Sequence, residues 1–175
     1  MVILDKDSLI ISDYEHYEWV VEKMMLKAKK SLLISTADVK NLFISEYSSS
    51  LLDLFNQNGE VKVKILHGSN PTMSFKEKFK ELNPKKWLKL KYCNRIHMKY
   101  VISDDAVAYL GSANFTGAGL GAKSPVNRNF ESGLITVNPT IIKYMKQRFM
   151  AIWNEKYCAD CGEKRKKYCV EYKWD

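Results

Sequence analysis

The sequence predicts an α/β fold, a single domain in which helices flank both faces of a mixed β-sheet. Segments with helical spacing of apolar residues alternate with short apolar or two-residue-period segments typical of strands. A length of 175 residues allows one domain with a sizeable core, and 46% of the residues are hydrophobic. We expect the domain to span residues 1–156, followed by a basic, cysteine-containing tail over residues 157–175.

The first half of the chain alternates helix and strand. Apolar residues at helical spacing, β-branched runs and turn dipeptides such as Asn58-Gly59 set the boundaries. The predicted helices are residues 14–30, 45–59 and 73–82, and the predicted strands are residues 31–36, 60–66 and 87–93. This order is typical of a layered α/β domain.

The second half predicts a hairpin, one more strand and a closing helix. The signals are strong alternation, an Asp-Asp turn and an Asn-Pro helix start. The predicted elements are a strand over residues 95–103, a turn at Asp104-Asp105, a returning strand over residues 106–111, a flexible loop with glycines at 117, 119 and 121, a strand over residues 130–137, and a helix over residues 140–157 that follows Asn138-Pro139.

The chain is basic, with a formal net charge of +8 and a sequence pI near 9.2. This balance favours an anionic partner such as nucleic acid or an acidic membrane surface, although a lysine-rich solvated surface would have the same charge. Part of the excess lies in residues 76–91, which carry seven lysines and two glutamates. A phosphate backbone approaching residue 97 would meet this strip.

Residues 97–114 carry polar side chains at fixed offsets. His97, Lys99 and Asp104 follow the pattern H-x-K-x4-D, and Gly111-Ser112-x-Asn114 follows six residues later. On a strand, the period of two would place His97 and Lys99 on one side. The hairpin would return the Ser112 and Asn114 side chains toward them, so the pattern predicts a phosphate-handling site.

The chemistry of this set is that of phosphodiester cleavage, which needs a nucleophile, a proton donor for the leaving group and positive charge around the non-bridging oxygens. A neutral imidazole can attack phosphorus and form a covalent intermediate, and a lysine can bind a phosphate oxygen. Because no carboxylate cluster typical of a Mg²⁺ site accompanies the set, we predict catalysis without a metal or other cofactor.

The pattern matches, without departure, the HKD motif of the phospholipase D superfamily, which this chain therefore resembles. The resemblance implies that His97 is the nucleophile that forms a phosphohistidine. It implies that Lys99, Ser112 and Asn114 hold the phosphate. It also implies that Asp104 maintains local structure more than it takes part in the chemistry.

A second similarity lies downstream, in NRNFESG at residues 127–133. This segment resembles one in the small nuclease branch of the superfamily in which a glutamate contacts the catalytic histidine, and Glu131 is the matching position. A carboxylate there would orient the imidazole and stabilise its charged form. An ordinary acid at the edge of a strand is the alternative interpretation.

The motif occurs once, whereas large phospholipase D enzymes carry two copies. The implied mechanism needs two histidines, one that attacks and one that protonates the leaving oxygen. We therefore predict a homodimer with one active site across the twofold axis, where the two His97 side chains face each other. The similarity covers about residues 10–155, and its specific part is residues 97–131.

The leading functional prediction is a metal-independent phosphodiesterase, a nuclease that cleaves DNA or RNA. Two alternatives stay open. A phospholipase D or phosphatidyl transferase would use the same site on lipid phosphodiesters. A nucleic-acid-binding module without turnover would share the positive charge. The chain shows no apolar run long enough to span a bilayer and no secretory signal, so we expect a cytoplasmic protein that does not act at a membrane.

The chain has four cysteines, Cys93, Cys158, Cys161 and Cys169. The last three form C-x2-C-x7-C, and with Cys93 as the fourth ligand they could hold a structural Zn²⁺. His16 or His67 is a less favoured replacement for Cys93, and His67 is otherwise expected to be a solvated loop residue. Reduced free thiols and a redox C-x-x-C pair are the alternatives.

Overall fold

The computed structural model describes residues 2–39, 61–69, 73, 77, 87–163 and 169. Its strands are β1 (Val2–Asp5), β2 (Ser8–Ser12), β3 (Ser31–Thr36), β4 (Lys62–His67), β5 (Leu88–Tyr92), β6 (Tyr100–Ser103), β7 (Val107–Gly111) and β8 (Ser132–Thr136). Its helices are α1 (Tyr17–Met25) and α2 (Pro139–Trp153). Neither helix has the length and apolar character needed to cross a bilayer, within this described part of the chain.

The eight described strands form one mixed sheet in the order β1-β2-β8-β7-β6-β3-β4-β5. The neighbours β3, β4 and β5 run parallel. The other neighbouring pairs are antiparallel, including the β6–β7 hairpin. The predicted mixed sheet is confirmed, and the predicted strand over residues 31–36 coincides with β3.

Alternating side chains of the sheet build an apolar core on each face. On β3, Leu32 and Ile34 belong to the buried cluster that includes the apolar face of α1. Leu33 points the other way and belongs to the cluster that includes Phe149 of α2. Full burial of a side chain of this size contributes about 1.5–3 kcal/mol. Helices therefore cover both faces, as the sequence predicts.

The two described helices differ in how closely they match the prediction. α1 is shorter than residues 14–30 and is π-helical, and the N–H of Leu26 donates to the carbonyl of Val21 at its end (2.9 Å). α2 begins as predicted, because the Asn138 side chain accepts hydrogen bonds from the next backbone N–H groups and caps the helix. The helix predicted over 45–59 lies outside the described residues. So does the helix predicted over 73–82, apart from residues 73 and 77, and so do most lysines of residues 76–91.

The hairpin of β1 and β2 was not predicted. β2 pairs with β8 along its whole length, and Leu9 and Ile11 pack on the α1 side of the sheet. Apolar residues at alternate positions are the sequence pattern that predicts such a five-residue strand. The signal is weak, since the neighbouring residues Leu4 and Ile10 are apolar as well.

The strand predicted over residues 95–103 begins only at Tyr100. His97 and Lys99 precede it in an irregular segment, so the prediction was wrong about the secondary structure of these two residues. The alternation of side chains is nevertheless present, because Ile96 packs in the α2 core and Val101 in the α1 core. The segment therefore keeps the two-sidedness of a strand before strand pairing begins.

Candidate active site

One edge of the sheet collects the residues of the motif. β6 and β8 begin at this edge, whereas the antiparallel β7 and β3 end there. The pairing extends beyond the strands, since the N–H of Gly111 donates to the Lys99 carbonyl (3.2 Å) and the N–H of Ser112 to the Ser132 carbonyl (3.0 Å). The predicted site residues at this edge are His97, Lys99, Ser112, Asn114 and Glu131.

Lys99 is only 8% exposed, although its side chain carries a cation. Its Nζ donates to the carbonyl oxygen of His97 (2.9 Å) and lies 3.3 and 3.4 Å from the two ring nitrogens of His97. The His97 side chain is exposed. A phosphate oxygen bonded to phosphorus at either ring nitrogen would therefore lie within reach of the ammonium group.

Thr36, at the end of β3, fixes the loop that carries Asn114. Its hydroxyl accepts a hydrogen bond from the N–H of Phe115 (2.9 Å) and donates to the carbonyl of Asp38 (2.8 Å). The amide oxygen of Asn114 lies 3.4 Å from the same hydroxyl. With the oxygen turned toward Thr36, the amide nitrogen of Asn114 is the group that can donate to an anion.

Glu131 is held against Ser112. The Ser112 hydroxyl donates to one carboxylate oxygen, and the side-chain amide of Asn129 donates to the other (3.1 Å). The backbone of Glu131 is fixed by Asp13, whose carboxylate accepts from the Glu131 N–H and whose N–H donates to the Glu131 carbonyl, both at 2.9 Å. The resemblance implies a contact of Glu131 with His97, and the contact described here is with Ser112.

A buried tyrosine explains why the motif has glycine at position 111. The ring of Tyr109 lies against the paired residues Gly111 and Gly133, and a Cβ on either glycine would overlap the ring. The Tyr109 hydroxyl accepts from the N–H of Ala113 (3.3 Å), and burial raises the pKa of the phenol. Tyr109 and Gly133, which the sequence patterns did not single out, therefore set the path of the chain that carries Ser112.

His16 is fully buried behind the site. Its Nδ1 lies 2.9 Å from the carbonyl oxygen of Asp13, and its ring packs edge-on against Tyr109 with centroids 5.5 Å apart. Burial lowers the pKa of His16, against the opposing effects of the Asp13 hydrogen bond and the charge of Glu131. This histidine is thus part of the core beneath the site, away from the cavity that the cysteines line.

His67 is buried as well, so the expectation of a solvated loop residue was wrong. It ends β4, where Nδ1 lies 2.8 Å from the carbonyl oxygen of Ser69 and the ring lies 5.5 Å from that of Tyr92. Burial lowers its pKa, which the Ser69 hydrogen bond partly opposes. Local sequence favours exposure of a polar residue at a strand end, and it does not show that Tyr92 of the neighbouring strand packs beside the His67 ring.

The glycine-containing segment after Asn114, predicted as a flexible loop, packs closely in the structure. Leu120 is buried, and Thr116 accepts from the N–H of Leu120 (2.9 Å) and, through its hydroxyl, from that of Gly119 (3.1 Å). A Cβ on Gly119 would approach the Asn114 carbonyl oxygen to 2.6 Å. Gly121 adopts a φ of +71°, which disfavours other residues. These glycines are needed for close packing against the site.

Asp104 lies at the opposite end of β6 from Lys99, five residues and about 17 Å away along the strand. Its carboxylate accepts hydrogen bonds from the N–H groups of Lys29, Lys30 and Ser31, each at 2.8 Å. Burial acts to raise the pKa of Asp104, but the three hydrogen bonds outweigh it and the pKa is lowered. The contacts fit the structural role that the resemblance implies.

All four cysteines line a cavity of about 470 Å³, together with Arg95 and Arg148. Cys93 directly follows β5, which is parallel to β3 and ends at the same edge of the sheet. Among the described residues, no three ligating side chains are already arranged to enclose a metal ion. The cavity borders the turn that leads into His97, since Arg95 and Ile96 form part of its wall.

Comparison with known proteins gives the family and the fold. A family model described as "Cardiolipin synthase, PLD-like domain" matches residues 21–153. No curated protein sequence matches the chain significantly. NucT from Helicobacter pylori is similar in structure, with a TM-score of 0.62 and 17% identity, over 94% of this chain and 98% of that one.

Two further solved structures share the fold. Nuc from Salmonella typhimurium, described as a phospholipase D family member, has a TM-score of 0.61 and 17% identity, over 96% of this chain and 100% of that one. TrmBL2, described as an archaeal chromatin protein, has a TM-score of 0.56 and 15% identity, over 87% of this chain and 54% of that one. With the family match over most of its length, the chain belongs to the phospholipase D-like family.

Proposed function

We propose that this protein is a phosphodiesterase that cleaves DNA or RNA through a phosphohistidine at His97, as a homodimer and without a catalytic metal. The observation that carries the proposal is the contact of the exposed His97 ring with the Lys99 ammonium, at the edge that also carries Ser112 and Asn114. An exposed imidazole can reach the phosphate of a polymer. A cytoplasmic location, where nucleic acid and reduced thiols coexist, is part of the same proposal.

The reaction would proceed in two displacements. First, a ring nitrogen of His97 attacks phosphorus, a P–N bond forms, and the P–O bond to the leaving oxygen breaks as the His97 of a second subunit supplies a proton. Water then attacks the phosphohistidine, the P–N bond breaks, and the second imidazole takes the proton from water. Lys99 and Asn114 donate to the non-bridging oxygens, on which negative charge accumulates. The Ser112 hydroxyl donates to them as well, after it turns away from the Glu131 carboxylate.

Glu131 has a positioning role in this proposal. Asp13 fixes its backbone and Ser112 and Asn129 contact its carboxylate, so the charge stays at the site edge. A carboxylate held there can orient an imidazole and stabilise the imidazolium that donates the proton. Dimer formation would complete this contact.

The requirement for a second histidine is the main argument for the homodimer. The surface next to the site supports it, because Phe130, adjacent to Glu131, is 97% exposed and Val126 is 89% exposed. The guanidinium of Arg128 lies over the ring of Tyr14, which is also exposed (5.7 Å). Large apolar side chains grouped at a surface are commonly covered by another molecule. A second copy would cover them and bring two His97 rings to one phosphate.

The choice of nucleic acid as substrate depends on charge and on similarity. A net charge of +8 attracts a polyanion, and binding of this kind weakens as salt rises. TrmBL2, which shares the fold, is described as showing a novel mode of DNA binding. The alignments with NucT and Nuc extend over nearly all of those chains, which favours the small single-motif architecture.

A lipid phosphodiester is the second candidate substrate. The family model carries the description of a cardiolipin synthase. The chemistry acts on the diester alone, so the same side chains would serve a phosphatidyl group. Substrate assays must therefore include both classes.

The test is cleavage by the purified protein in EDTA, with single- and double-stranded DNA and RNA and with cardiolipin vesicles in parallel. We expect cleavage of a nucleic acid, and a loss of kcat/KM of about 10⁴-fold or more in His97→Asn. Denaturing quench at neutral pH should trap an acid-labile phosphoryl adduct on His97. Lys62→Met is the matched surface control, since Lys62 is exposed at the far end of β4.

Each alternative has its own outcome. Headgroup release from vesicles without nucleic acid cleavage would assign the lipid activity. Salt-sensitive DNA binding without turnover or adduct would assign a binding module. Undiminished cleavage by His97→Asn would reject the proposed nucleophile. For the composite site, random exchange in an equal mixture of wild type and His97→Asn should leave about one quarter of the dimers with both histidines. Activity of one half would instead indicate independent subunits.

A further inference from the structure

We propose that Cys93, Cys158, Cys161 and Cys169 form a structural Zn²⁺ site that fastens the C-terminal segment to the turn preceding His97. The inference does not depend on the proposed catalytic activity. It rests on the convergence of all four cysteines of the chain on one cavity, from three separate segments. Zinc prefers four thiolate ligands in structural sites, and a C-x2-C pair is a typical source of two of them.

Backbone hydrogen bonds fix the two segments that carry Cys93, Cys158 and Cys161. Cys93 follows β5, donates its N–H to the carbonyl of His67 (2.9 Å) and accepts from the N–H of Ile96 (2.9 Å). Cys161 lies one turn after Cys158, whose carbonyl oxygen accepts from the Cys161 N–H (3.2 Å). The cavity thus joins the end of the chain to a turn that ends next to the catalytic segment.

The thiols are close enough to influence one another. Cys93 and Cys169 lie within side-chain hydrogen-bonding distance of each other. Binding of one Zn²⁺ by four thiols would form four Zn–S bonds and release the four thiol protons. Since no three sulfurs among the described residues already enclose a point, the turn after α2 must close inward on binding.

The positive charge of the cavity wall is complementary to a zinc ion bound by four thiolates. Zinc with four thiolates carries a net charge of −2. The described wall contains Lys91, Arg95 and Arg148 against the single acid Glu155, which gives +2. The guanidinium of Arg95 already donates to the sulfur of Cys161 at 3.0 Å. Cationic donors to the ligating sulfurs are the outer contacts that stabilise a thiolate-rich metal centre.

The free-thiol and redox alternatives account for less of this arrangement. Lys91 and Arg148 have other partners on this wall, the Glu155 carboxylate (2.6 Å) and the Tyr157 ring (4.7 Å). The free-thiol alternative does not account for Arg95, which donates to the Cys161 sulfur. A thioredoxin-like C-x-x-C pair lies at the start of a helix, where the helix dipole lowers a thiol pKa. Here Cys158 and Cys161 follow α2, and the pKa of Cys158 is raised.

The test uses the full chain, purified reduced and dialysed against a chelating resin. Elemental analysis should find about one zinc per chain. Replacement by Co²⁺ should produce the intense d–d bands of tetrahedral thiolate coordination together with sulfur-to-cobalt charge transfer. Cys161→Ser and Cys169→Ser should each lower zinc affinity by at least about 100-fold in competition with a chromogenic chelator. Glu155→Gln, which removes a carboxylate from the same wall, should leave affinity and spectrum unchanged.

Three results would overturn the proposal. The first is a zinc content near zero, with thiols that react equally fast with and without added Zn²⁺. The second is tightly bound iron in place of zinc. The third is a zinc affinity that is unchanged in both Cys161→Ser and Cys169→Ser. Cys161 is buried, so its variant could misfold. Cys169 is half-buried and lies close to the chain end, and its variant keeps the test decisive. Because the readouts are metal content and spectrum, failure here would leave the phosphodiesterase proposal untouched.

Discussion

Replacement of Asp104 by asparagine separates a structural role from a chemical one. The carboxylate accepts three backbone hydrogen bonds at 2.8 Å, two at Oδ1 and one at Oδ2. Asparagine tolerates the left-handed φ of 53° and keeps one acceptor oxygen. Its amide NH₂ group would face the N–H of Lys29, which now donates to Oδ2 and would lose its acceptor. The substitution therefore removes one hydrogen bond and the charge that strengthens the other two.

The expected loss follows from these contacts. A hydrogen bond to a charged group contributes about 1.5–3 kcal/mol, and the partial exposure of this site favours the lower values. We expect Asp104→Asn to reduce the free energy of unfolding by about 2 kcal/mol. For a chain of this size that lowers Tm by about 4–8 °C. Chemical denaturation monitored by tryptophan fluorescence at pH 7 measures the change.

Asp105→Asn is the matched control. Asp105 has the same left-handed conformation, with φ of 57°, but its carboxylate contacts only the exposed side chain of Lys146 among the contacts described (2.5 Å). Surface pairs of this kind contribute about 0–1 kcal/mol. The control should therefore unfold nearly like the wild type. The difference between the two variants measures the contribution of the one lost backbone hydrogen bond and of the charge that strengthens the other two.

The pH dependence has a definite sign. The folded-state pKa of Asp104 is lowered, so its stabilising contribution is present above the unfolded pKa of about 4 and is lost as pH falls through the folded value. The gap in stability between wild type and Asp104→Asn should therefore narrow below about pH 4. A folded variant with unchanged stability but kcat reduced a hundredfold would refute the reasoning, because Asp104 would then act on the reaction.

Three further predictions test the site. Gly133→Ala should lower the free energy of unfolding by about 1–3 kcal/mol in a urea titration, because the added Cβ would overlap the buried Tyr109 ring. Gly162→Ala is the control, since a Cβ at Gly162 meets open space and should change that free energy little. Lys99→Met should lower kcat by about 10²–10³-fold while Lys62→Met leaves it unchanged, as steady-state kinetics will show. Phe130→Ser should shift sedimentation equilibrium toward monomer and lower specific activity at low protein concentration; an unaltered equilibrium would place the dimer interface elsewhere.

The elements that could be predicted from the sequence are those with local causes. The continuous apolar run of β3, the turn at Asp104-Asp105 and the cap at Asn138 each depend on a few neighbouring residues. The motif also predicted that the side chains of His97, Lys99, Ser112 and Asn114 lie together at one end of a hairpin. That prediction survives although β6 begins later than expected, because side-chain alternation persists through residues 96–99.

The parts that could not be predicted depend on contacts between distant segments. Asp13 fixes Glu131 across 118 positions of sequence, and Thr36 approaches Asn114 across 78. No local pattern shows which strand ends will meet. The same limit explains the error over His67, whose burial depends on neighbouring elements. It also explains the glycines after Asn114, where conformational freedom was expected and close packing is the cause.

The spacing of the motif can be understood as the dimensions of one hairpin. The four residues between Lys99 and Asp104 are β6, and the six between Asp104 and Gly111 are the rest of the turn and most of β7. Because side chains alternate along a strand, one residue added to β6 would turn the Lys99 side chain toward the α2 core. Two added residues would move Ser112 out of register with Lys99. Asp104 ties the turn to the start of β3, so the open end of the hairpin cannot slide. Asp104, about 17 Å along the strand from Lys99, therefore belongs to the motif because it fixes the register of the hairpin that carries Lys99 and Ser112.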